Sequence, residues 1–309
     1  MAEKKIYSKL GEKLANKDFI LTGELEPEKT CDLSHLIEEA KEMAPYVVAA
    51  NVTDSPLGIV TINSLAASAI VQRDANLECI WQLTVRDVNK LGIAGMIMGA
   101  QALGIHNILS LTGDHTALGD MPESKPVFDL DSATLVKLVR EMVDTGKING
   151  KDIECPPKLH VGAAANPNSK PVEAEVLKIG RKAQAGVEFL QTQVVYDLDK
   201  TINFLEEIQK YKVPVLLGIF PMKSYDIAKG FDDFVPGVDV PPEILAKWKA
   251  IKPDVTDKAQ QKEAYDQANY DFFQPFITEL KKKNLLAGIH CMAVHYTRIF
   301  PKLVDIING

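Results

Sequence analysis

Runs of strand-forming apolar residues alternate with helix-forming segments eight times along this 309-residue chain. The predicted strands cover residues 19–25, 47–53, 78–85, 108–111, 159–165, 189–196, 213–220 and 285–294. Strands that alternate with helices form parallel sheets, and eight such units can close into a barrel. No G-x-G-x-x-G or G-x-x-x-x-G-K-[ST] pattern follows any strand, so neither a dinucleotide-binding fold nor a P-loop is indicated. The sequence therefore predicts a single α/β TIM barrel over residues 1–309, with an open doubly wound sheet as the alternative.

Two helical additions are predicted outside the eight repeating units. A short helix at residues 4–16 precedes the first strand, and a helical insertion at about residues 231–283 separates strands seven and eight. Helix-forming segments lie in this region near residues 224–229, 242–250 and 257–283. We interpret the insertion as an elaborated seventh helix, and a surface that docks a partner is the alternative.

The charge and the cysteine pattern exclude several classes of protein. The net charge is −7 and no basic block stands out, which argues against a nucleic-acid partner or a membrane surface. No apolar run approaches the roughly 18 residues of a membrane span, and no apolar signal core follows the first residues. The four cysteines lack C-x-x-C or metal-ligand spacing; they are Cys31, Cys79, Cys155 and Cys291. We expect a cytoplasmic protein whose cysteines are reduced.

Polar residues cluster where the predicted strands end, and in a TIM barrel this end of the strands carries the active site. The fourth strand stops at Thr112-Gly113-Asp114, and the first stops at Glu24. Two carboxylates on separate strands but at one barrel mouth suit proton transfer and polar recognition of a heterocycle. The other polar strand-end residues are Glu26, Thr53, Asp54, Gln82, Thr84, Asn166, Gln193, Asp197 and His290.

Each of these residues taken singly is more simply explained as a helix cap or a satisfied buried polar group. Gln193 differs because it lies inside a predicted apolar strand, where a polar side chain must be hydrogen-bonded or open to a ligand. His290 is flanked by apolar residues, and a structural role is predicted for it. The six histidines are scattered along the chain, so no metal site is expected.

Taken together, the strand-end motifs resemble those of methylenetetrahydrofolate reductases, in the same order and over almost the whole chain. The motifs are Gly23-Glu24-Leu25-Glu26-Pro27, Asn51-Val52-Thr53-Asp54, Gln82-Leu83-Thr84, Leu111-Thr112-Gly113-Asp114, Gly162-Ala163-Ala164-Ala165-Asn166-Pro167, Gln191-Thr192-Gln193, Gly218-Ile219-Phe220-Pro221 and Ala287-Gly288-Ile289-His290. Two positions depart from members of the enterobacterial type, since Gln82 replaces a histidine and Asn166 replaces a common tyrosine.

The resemblance implies a flavoprotein that interconverts 5,10-methylenetetrahydrofolate and 5-methyltetrahydrofolate by ping-pong hydride transfer through flavin N5. It implies FAD as the cofactor, with FMN as the alternative. Glu24 matches the acid that protonates the folate as its five-membered ring opens, and Asp114 matches the carboxylate near flavin and pterin. Gln193 and Tyr225 match residues that bind the folate.

The resemblance also implies the cofactor-binding residues and the class of partner. Residues that match flavin-lining positions are Thr53, Gln82, Thr112, Gly113, Asp114, Ala164 and Asn166. Glu175, Arg181 and Lys182 match residues that hold the ribityl and phosphate groups. The expected electron donor is NAD(P)H or a partner electron-transfer subunit, within an oligomer or hetero-complex.

Two other functions remain open from the sequence. One is a flavin-free, pterin-binding barrel that takes hydride directly from a nicotinamide. The other is a non-catalytic subunit of a reductase complex. The joint presence of Glu24, Asp114 and Gln193 argues against the second, because an assembly module does not need carboxylates at a barrel mouth.

Overall fold

Eight parallel strands form a closed barrel in the computed structural model, which describes residues 5–234, 240–254 and 257–309. Each strand pairs with the next along the chain, and the last pairs with the first through Leu21↔Ile289 and Thr22↔His290. The predicted TIM barrel is therefore confirmed. The strands are β1 (Ile20–Leu25), β2 (Ala49–Val52), β3 (Cys79–Thr84), β4 (Asn107–Leu111), β5 (His160–Ala165), β6 (Phe189–Thr192), β7 (Val215–Ile219) and β8 (Gly288–Cys291).

Helices surround the barrel and bury their apolar faces against the outer surface of the sheet. They are α1 (Lys9–Ala15), α2 (Ser34–Met43), α3 (Ser64–Ala75), α4 (Lys90–Ala102), α5 (Ser132–Arg140), α6 (Val172–Ala185), α7 (Leu198–Ile208), α8 (Tyr225–Phe234), α9 (Pro242–Asp254), α10 (Lys258–Lys282) and α11 (Phe300–Asn308). No helix in the described ranges combines the length and the apolar character needed to cross a bilayer.

Helix α1 covers the amino end of the barrel. Its N-cap is Ser8, whose side chain accepts a hydrogen bond from the Gly11 amide. The backbone amides of Lys9 and Leu10 donate to the Glu78 carboxylate at 2.7 and 2.9 Å. Leu10 is fully buried and packs with apolar side chains that point into the barrel, among them Ile80. The predicted short N-terminal helix is confirmed, although its predicted start at residue 4 lies outside the described residues.

The predicted helical insertion between β7 and β8 is confirmed and comprises α8, α9 and α10. It is attached to the barrel through Asn269, whose amide oxygen accepts from the Met222 N–H at 2.8 Å and whose Nδ2 donates to the Met222 carbonyl at 3.0 Å. Trp248 Nε1 donates to the same carbonyl at 3.2 Å. Parts of the predicted insertion, residues 235–239 and 255–256, lie outside the described residues.

Two local features differ from the sequence-based expectation. Strand β6 ends at Thr192, and Val194, although buried, lies in a loop where its carbonyl accepts from Asn168 Nδ2 at 2.8 Å. A buried apolar loop has the same composition as a buried strand, so the sequence alone extended the strand to residue 196. A two-stranded hairpin, Lys147–Ile148 with Lys151–Asp152, was not predicted, because such short strands carry little sequence signal.

Candidate active site

A cleft of about 700 Å³ opens at the carboxyl end of the barrel strands. Its volume lies within the roughly 300–1,000 Å³ that is typical of small-molecule sites. Most of the residues predicted from the sequence line it: Glu24, Thr53, Gln82, Thr112, Gly113, Asp114, Ala164, Asn166, Glu175, Lys182 and Gln193. Arg181 and Tyr225 do not line this cleft.

One side of the cleft, which we call the acid wall, is formed by Glu24 on β1, Gln82 on β3 and His290 on β8. Gln82 Nε2 donates to Glu24 Oε2 at 3.0 Å, and His290 Nε2 lies 3.4 Å from the same oxygen. The other ring nitrogen of His290, Nδ1, is 3.1 Å from the Thr22 hydroxyl oxygen. His290 and Thr22 are buried, so the imidazole is held between a hydroxyl and a carboxylate.

The direction of these hydrogen bonds has a chemical consequence. The Thr22 hydroxyl is also 3.3 Å from the Ile289 carbonyl, to which it can only donate. In that arrangement His290 Nδ1 donates to Thr22, and a neutral ring presents Nε2 to Glu24 as an acceptor. The contact between Glu24 and His290 is then favourable when one proton lies between them, either on the carboxyl group or on the ring. The acid wall therefore places a carboxyl group and an imidazole side by side at the cleft.

The opposite side, which we call the α6 wall, is formed by Glu175 and Lys182 of α6 with Ala164 of β5. Lys182 Nζ donates to the Ala164 carbonyl at 2.6 Å and lies 4.0 Å from Glu175 Oε1. Burial lowers the pKa of Lys182, and the Glu175 carboxylate opposes this effect. Glu175 Oε1 also accepts from the Asn166 amide at 3.2 Å. Both charged side chains of this wall are thus buried and already hydrogen-bonded.

The loop after β4 places Asp114 at the entrance of the cleft. Gly113 has φ +86°, and a Cβ atom there would lie 3.0 Å from Thr84 Cβ, which explains the glycine. The exposed Asp114 carboxylate accepts from the Leu57 amide at 2.8 Å. Buried Arg86 donates to the Asp114 carbonyl at 3.1 Å and so fixes the loop from below.

Thr53, at the end of β2, carries an unpaired hydroxyl. Among buried side-chain nitrogen and oxygen atoms of the described ranges, Thr53 Oγ1 is the one that lacks a hydrogen-bond partner. An unsatisfied buried hydroxyl costs on the order of 1–3 kcal/mol, so such atoms are rare unless a ligand or water completes them. Because Thr53 lines the cleft, its hydroxyl is suited to bind a polar group of a ligand there.

Residues 9–307 match the family model described as methylenetetrahydrofolate reductase. The chain belongs to the methylenetetrahydrofolate reductase family. The resemblance drawn from the strand-end motifs is thereby confirmed.

Similar proteins of this family come from distant organisms. Methylenetetrahydrofolate reductase 2 of Schizosaccharomyces pombe is 25% identical over 74% of this chain and 36% of its own length. A probable methylenetetrahydrofolate reductase (NADH) of Oryza sativa is 24% identical, over 94% of this chain and 48% of its own. The 5,10-methylenetetrahydrofolate reductase of Salmonella typhimurium is 24% identical over 53% and 50%. The chain thus spans about half or less of the length of these relatives.

A solved structure from Clostridium thermocellum shares the fold. It is an uncharacterized protein described as binding two copies of 5-methyl-5,6,7,8-tetrahydrofolic acid. The two chains superpose with a TM-score of 0.64 at 16% identity, covering 97% of this chain and 98% of the other.

Not every residue that the family resemblance selected faces the cleft. Arg181 points outward and its Nη2 donates to Asp131 at 2.8 Å. The Tyr225 side chain is half-buried against the core at the start of α8, and its amide donates to the Tyr265 hydroxyl at 3.2 Å. Gln193 does line the cleft, and its Oε1 accepts from the Val194 amide at 3.0 Å. The binding roles of all three remain predictions.

Several residues that build this cleft were not singled out as site residues from the sequence. Asp54 accepts from the Thr84 amide, the Thr84 hydroxyl and the Ser64 hydroxyl, each at 2.9 Å. Burial raises the pKa of Asp54, and these hydrogen bonds oppose the change. Asn51 and Gln191 form a reciprocal amide pair across the barrel at 2.8 and 3.1 Å. Both are polar residues inside apolar strands, which indicates that each needs a hydrogen-bond partner. The sequence of one strand does not show which residue of another strand is that partner.

Proposed function

We propose that this chain is a catalytic barrel domain that interconverts 5,10-methylenetetrahydrofolate and 5-methyltetrahydrofolate with the help of a flavin. The observation that carries this proposal is the acid wall, where Glu24 is held by Gln82 and His290 in a cleft of small-molecule size. Family membership supplies the reaction class, and the wall supplies the proton that this reaction needs.

Glu24 acts as the general acid in the direction of reduction. Opening the five-membered ring of the methylene compound breaks a carbon–nitrogen bond, and the departing nitrogen takes up one proton. Glu24 donates this proton, and in the reverse direction it accepts the proton again. Gln82 fixes one carboxyl oxygen, while His290 stabilises either protonation state because its ring can donate to a carboxylate or accept from a carboxylic acid.

The residues of the cleft fit a flavin. The Thr53 hydroxyl lacks a partner among the described residues and faces a cleft that a heterocycle can enter. Gly113, which has no side chain, lines the cleft at the end of β4, and Lys182 adds a buried cation on the α6 wall. A bound flavin would supply the two-electron hydride chemistry that amino-acid side chains lack. Thr53, Gln82, Gly113, Ala164 and Lys182 would hold it.

The folate is proposed to bind at the outer part of the same cleft. Asp114 presents an exposed carboxylate there, which suits the N–H donors of a pterin ring, and Gln193 offers an amide nearby. The Clostridium thermocellum protein of the same fold is described as binding 5-methyltetrahydrofolate, which supports this class of ligand. The electron donor is proposed to be NAD(P)H or a partner electron-transfer subunit.

An anaerobic absorbance spectrum of the purified chain tests the proposal, followed by addition of 5-methyltetrahydrofolate. We expect flavin absorbance, after reconstitution with FAD or FMN where needed, that bleaches when the folate is added. Flavin absorbance that the folate does not change would contradict the substrate. A protein that binds no flavin but oxidises NAD(P)H with the methylene compound would favour direct nicotinamide transfer, and a protein inactive in both assays would favour a non-catalytic subunit.

A further inference from the structure

A second cluster of ligand-type side chains lies outside the cleft, where the barrel closes. His35 and Glu39 are on α2, and His295 follows β8. One potential ligand atom from each lies within 4.8 Å of those of the other two. These side chains are about 260 positions apart in sequence but adjacent in space because β8 pairs with β1. None of them lines the active-site cleft.

Glu39 holds His295 in a fixed orientation. The buried Glu39 carboxylate accepts from the His295 backbone amide at 2.7 Å, and its other oxygen is 3.0 Å from His295 Nδ1. This contact directs the opposite ring nitrogen, Nε2, away from Glu39. His295 also has φ +52°, a conformation that residues other than glycine rarely adopt without a compensating contact.

His295 Nε2, the ring nitrogen that Glu39 does not contact, lies near two further side chains that can bind a metal, Glu28 and His35. His295 Nε2 lies 3.9 Å from Glu28 Oε1, and His35 Nδ1 lies 4.0 Å from the same oxygen. The two imidazole rings are 5.2 Å apart between centroids. Glu28 Oε1 therefore lies within 4.0 Å of one nitrogen atom of each imidazole ring.

We propose that His35, His295 and Glu28 bind a divalent transition-metal ion of the zinc class, and that Glu39 positions His295 for this task. In a tetrahedral zinc site the ligand atoms lie roughly 2.0–2.2 Å from the metal, hence about 3.4 Å from one another. The observed 3.9 and 4.0 Å need only small side-chain rotations, which His35 and Glu28 can make because both are mostly exposed. A carboxylate that binds the second nitrogen of a metal-bound imidazole is the usual outer partner in such sites.

The position of the site indicates what the metal does. It joins the first helix after β1 to the segment after β8, across the seam between the first and last strands of the barrel. Because the ligands meet only in the folded chain, metal binding stabilises the native state by an amount that grows with the logarithm of the affinity. The site is therefore structural, and its occupancy does not depend on the flavin or the folate.

Zinc binding by the full chain tests this proposal, after removal of any affinity tag and dialysis against a chelator. Zn²⁺ is titrated in competition with a chromophoric chelator, and the thermal midpoint is measured with and without Zn²⁺. We expect one tight site, with affinity reduced at least about 10-fold in H35A and about 10- to 100-fold in E39Q, the usual cost of losing an outer partner. The matched control is H106A, which removes a half-buried histidine outside the cluster and should bind Zn²⁺ like the parent chain.

Equal zinc affinity in the parent chain and in H35A would overturn the proposal, as would the absence of a site that competes with the chelator. Glu39 and His295 would then form a structural hydrogen bond and nothing more. Should E39Q fold poorly because Glu39 is buried, E28Q provides the same test at an exposed position. A zinc-dependent rise of the thermal midpoint in the parent chain and H106A, lost in H35A and E28Q, would support the site.

Discussion

The two walls of the cleft both carry charged residues that the family resemblance selected, but the residues are engaged in opposite ways. Within the described chain, Glu24 of the acid wall accepts one side-chain hydrogen bond, from Gln82, and its second contact, to His290, depends on a proton. Lys182 of the α6 wall is already bound to the Ala164 carbonyl and has Glu175 beside it.

This difference separates a group that is ready for chemistry from a group that mainly supports the structure. A carboxylate with hydrogen-bonding capacity left can exchange a proton with a bound substrate. A buried ammonium that already donates to a carbonyl keeps its charge in place and stabilises the helix against the barrel. We therefore expect substitutions in the acid wall to change the rate of proton transfer, and substitutions in the α6 wall to change stability and flavin binding.

The largest expected effect is a loss of turnover when Glu24 of the acid wall is replaced. E24Q keeps the size of the side chain but can neither donate nor accept the proton, so turnover should fall by about 10²- to 10⁴-fold in either direction, the usual contribution of general acid–base catalysis. The measurement is the rate at which 5-methyltetrahydrofolate bleaches the flavin, with circular dichroism as a check on folding. The control is E38Q, an exposed glutamate on α2 that pairs with Lys41. Unchanged bleaching in E24Q would remove Glu24 from the mechanism and abolish the contrast between the walls.

The second largest expected effect is a loss of protein stability when Lys182 of the α6 wall is replaced, and its neighbour Arg181 provides a matched comparison. K182M removes a buried cation and leaves Glu175 and the Ala164 carbonyl without it, which should cost about 2–4 kcal/mol in the free energy of unfolding. R181M breaks an exposed pair with Asp131 and should cost less than about 1 kcal/mol. Urea denaturation measures both. Equal losses in the two variants would show that burial does not distinguish these neighbours.

Thr53 lies at the end of β2, between the strands that carry Glu24 and Gln82 of the acid wall, and T53V is expected to change stability and flavin binding in opposite directions. Removing the unpaired hydroxyl should stabilise the flavin-free protein by about 1 kcal/mol and weaken flavin binding by about 5- to 10-fold. Thermal unfolding and a flavin titration measure the two effects. T201V is the control, because the buried Thr201 hydroxyl donates to the Asp197 carbonyl at 2.6 Å and its loss should destabilise. Destabilisation by T53V would mean that the hydroxyl has a partner within the chain.

The smallest expected effect is a pH-dependent change of stability when Glu26, close to Glu24 of the acid wall, is replaced. Burial, followed by the nearby Glu24, raises the pKa of Glu26 above its usual value of 4.5. A raised folded-state pKa means that the folded protein binds the Glu26 proton more tightly than the unfolded chain does. The folded state is therefore favoured while Glu26 is protonated, and this stabilisation is lost as the pH rises through the folded-state pKa. E26Q should therefore be slightly more stable than the parent chain at pH 7, and the difference should vanish at a pH below about 4. Urea denaturation at several pH values measures it, and a difference that is independent of pH would contradict the assignment.

The sequence predicted the barrel and most of the cleft for one physical reason. In a closed parallel barrel, residues at the carboxyl ends of all eight strands reach one mouth, so Glu24, Gln82 and Asp114 could be grouped without knowledge of contacts. Residues on the surrounding helices do not all face the mouth of the barrel. Arg181 and Lys182 are neighbours in sequence, yet one side chain pairs with Asp131 at the surface and the other points into the cleft.

Contacts between side chains of strands that are far apart in the chain could not be predicted from the sequence, for a related reason. The pairing of Asn51 with Gln191, and of His290 with Glu24, depends on the rotation of each strand relative to strands far away in the chain. The cluster of His35 with His295 was likewise invisible, because a histidine count along the chain says nothing about which ends the closure of the barrel brings together.

Helix α1 determines how molecules move into and out of the barrel. With Leu10 inserted at the amino end, every molecule that meets Glu24 must arrive and depart past the loops at the other end. The reductant and the folate proposed above would therefore reach the cleft through the same opening. A barrel closed at one end has a single route between its cleft and the solvent, so two reactants that need the same position beside Glu24 can occupy it only one after the other.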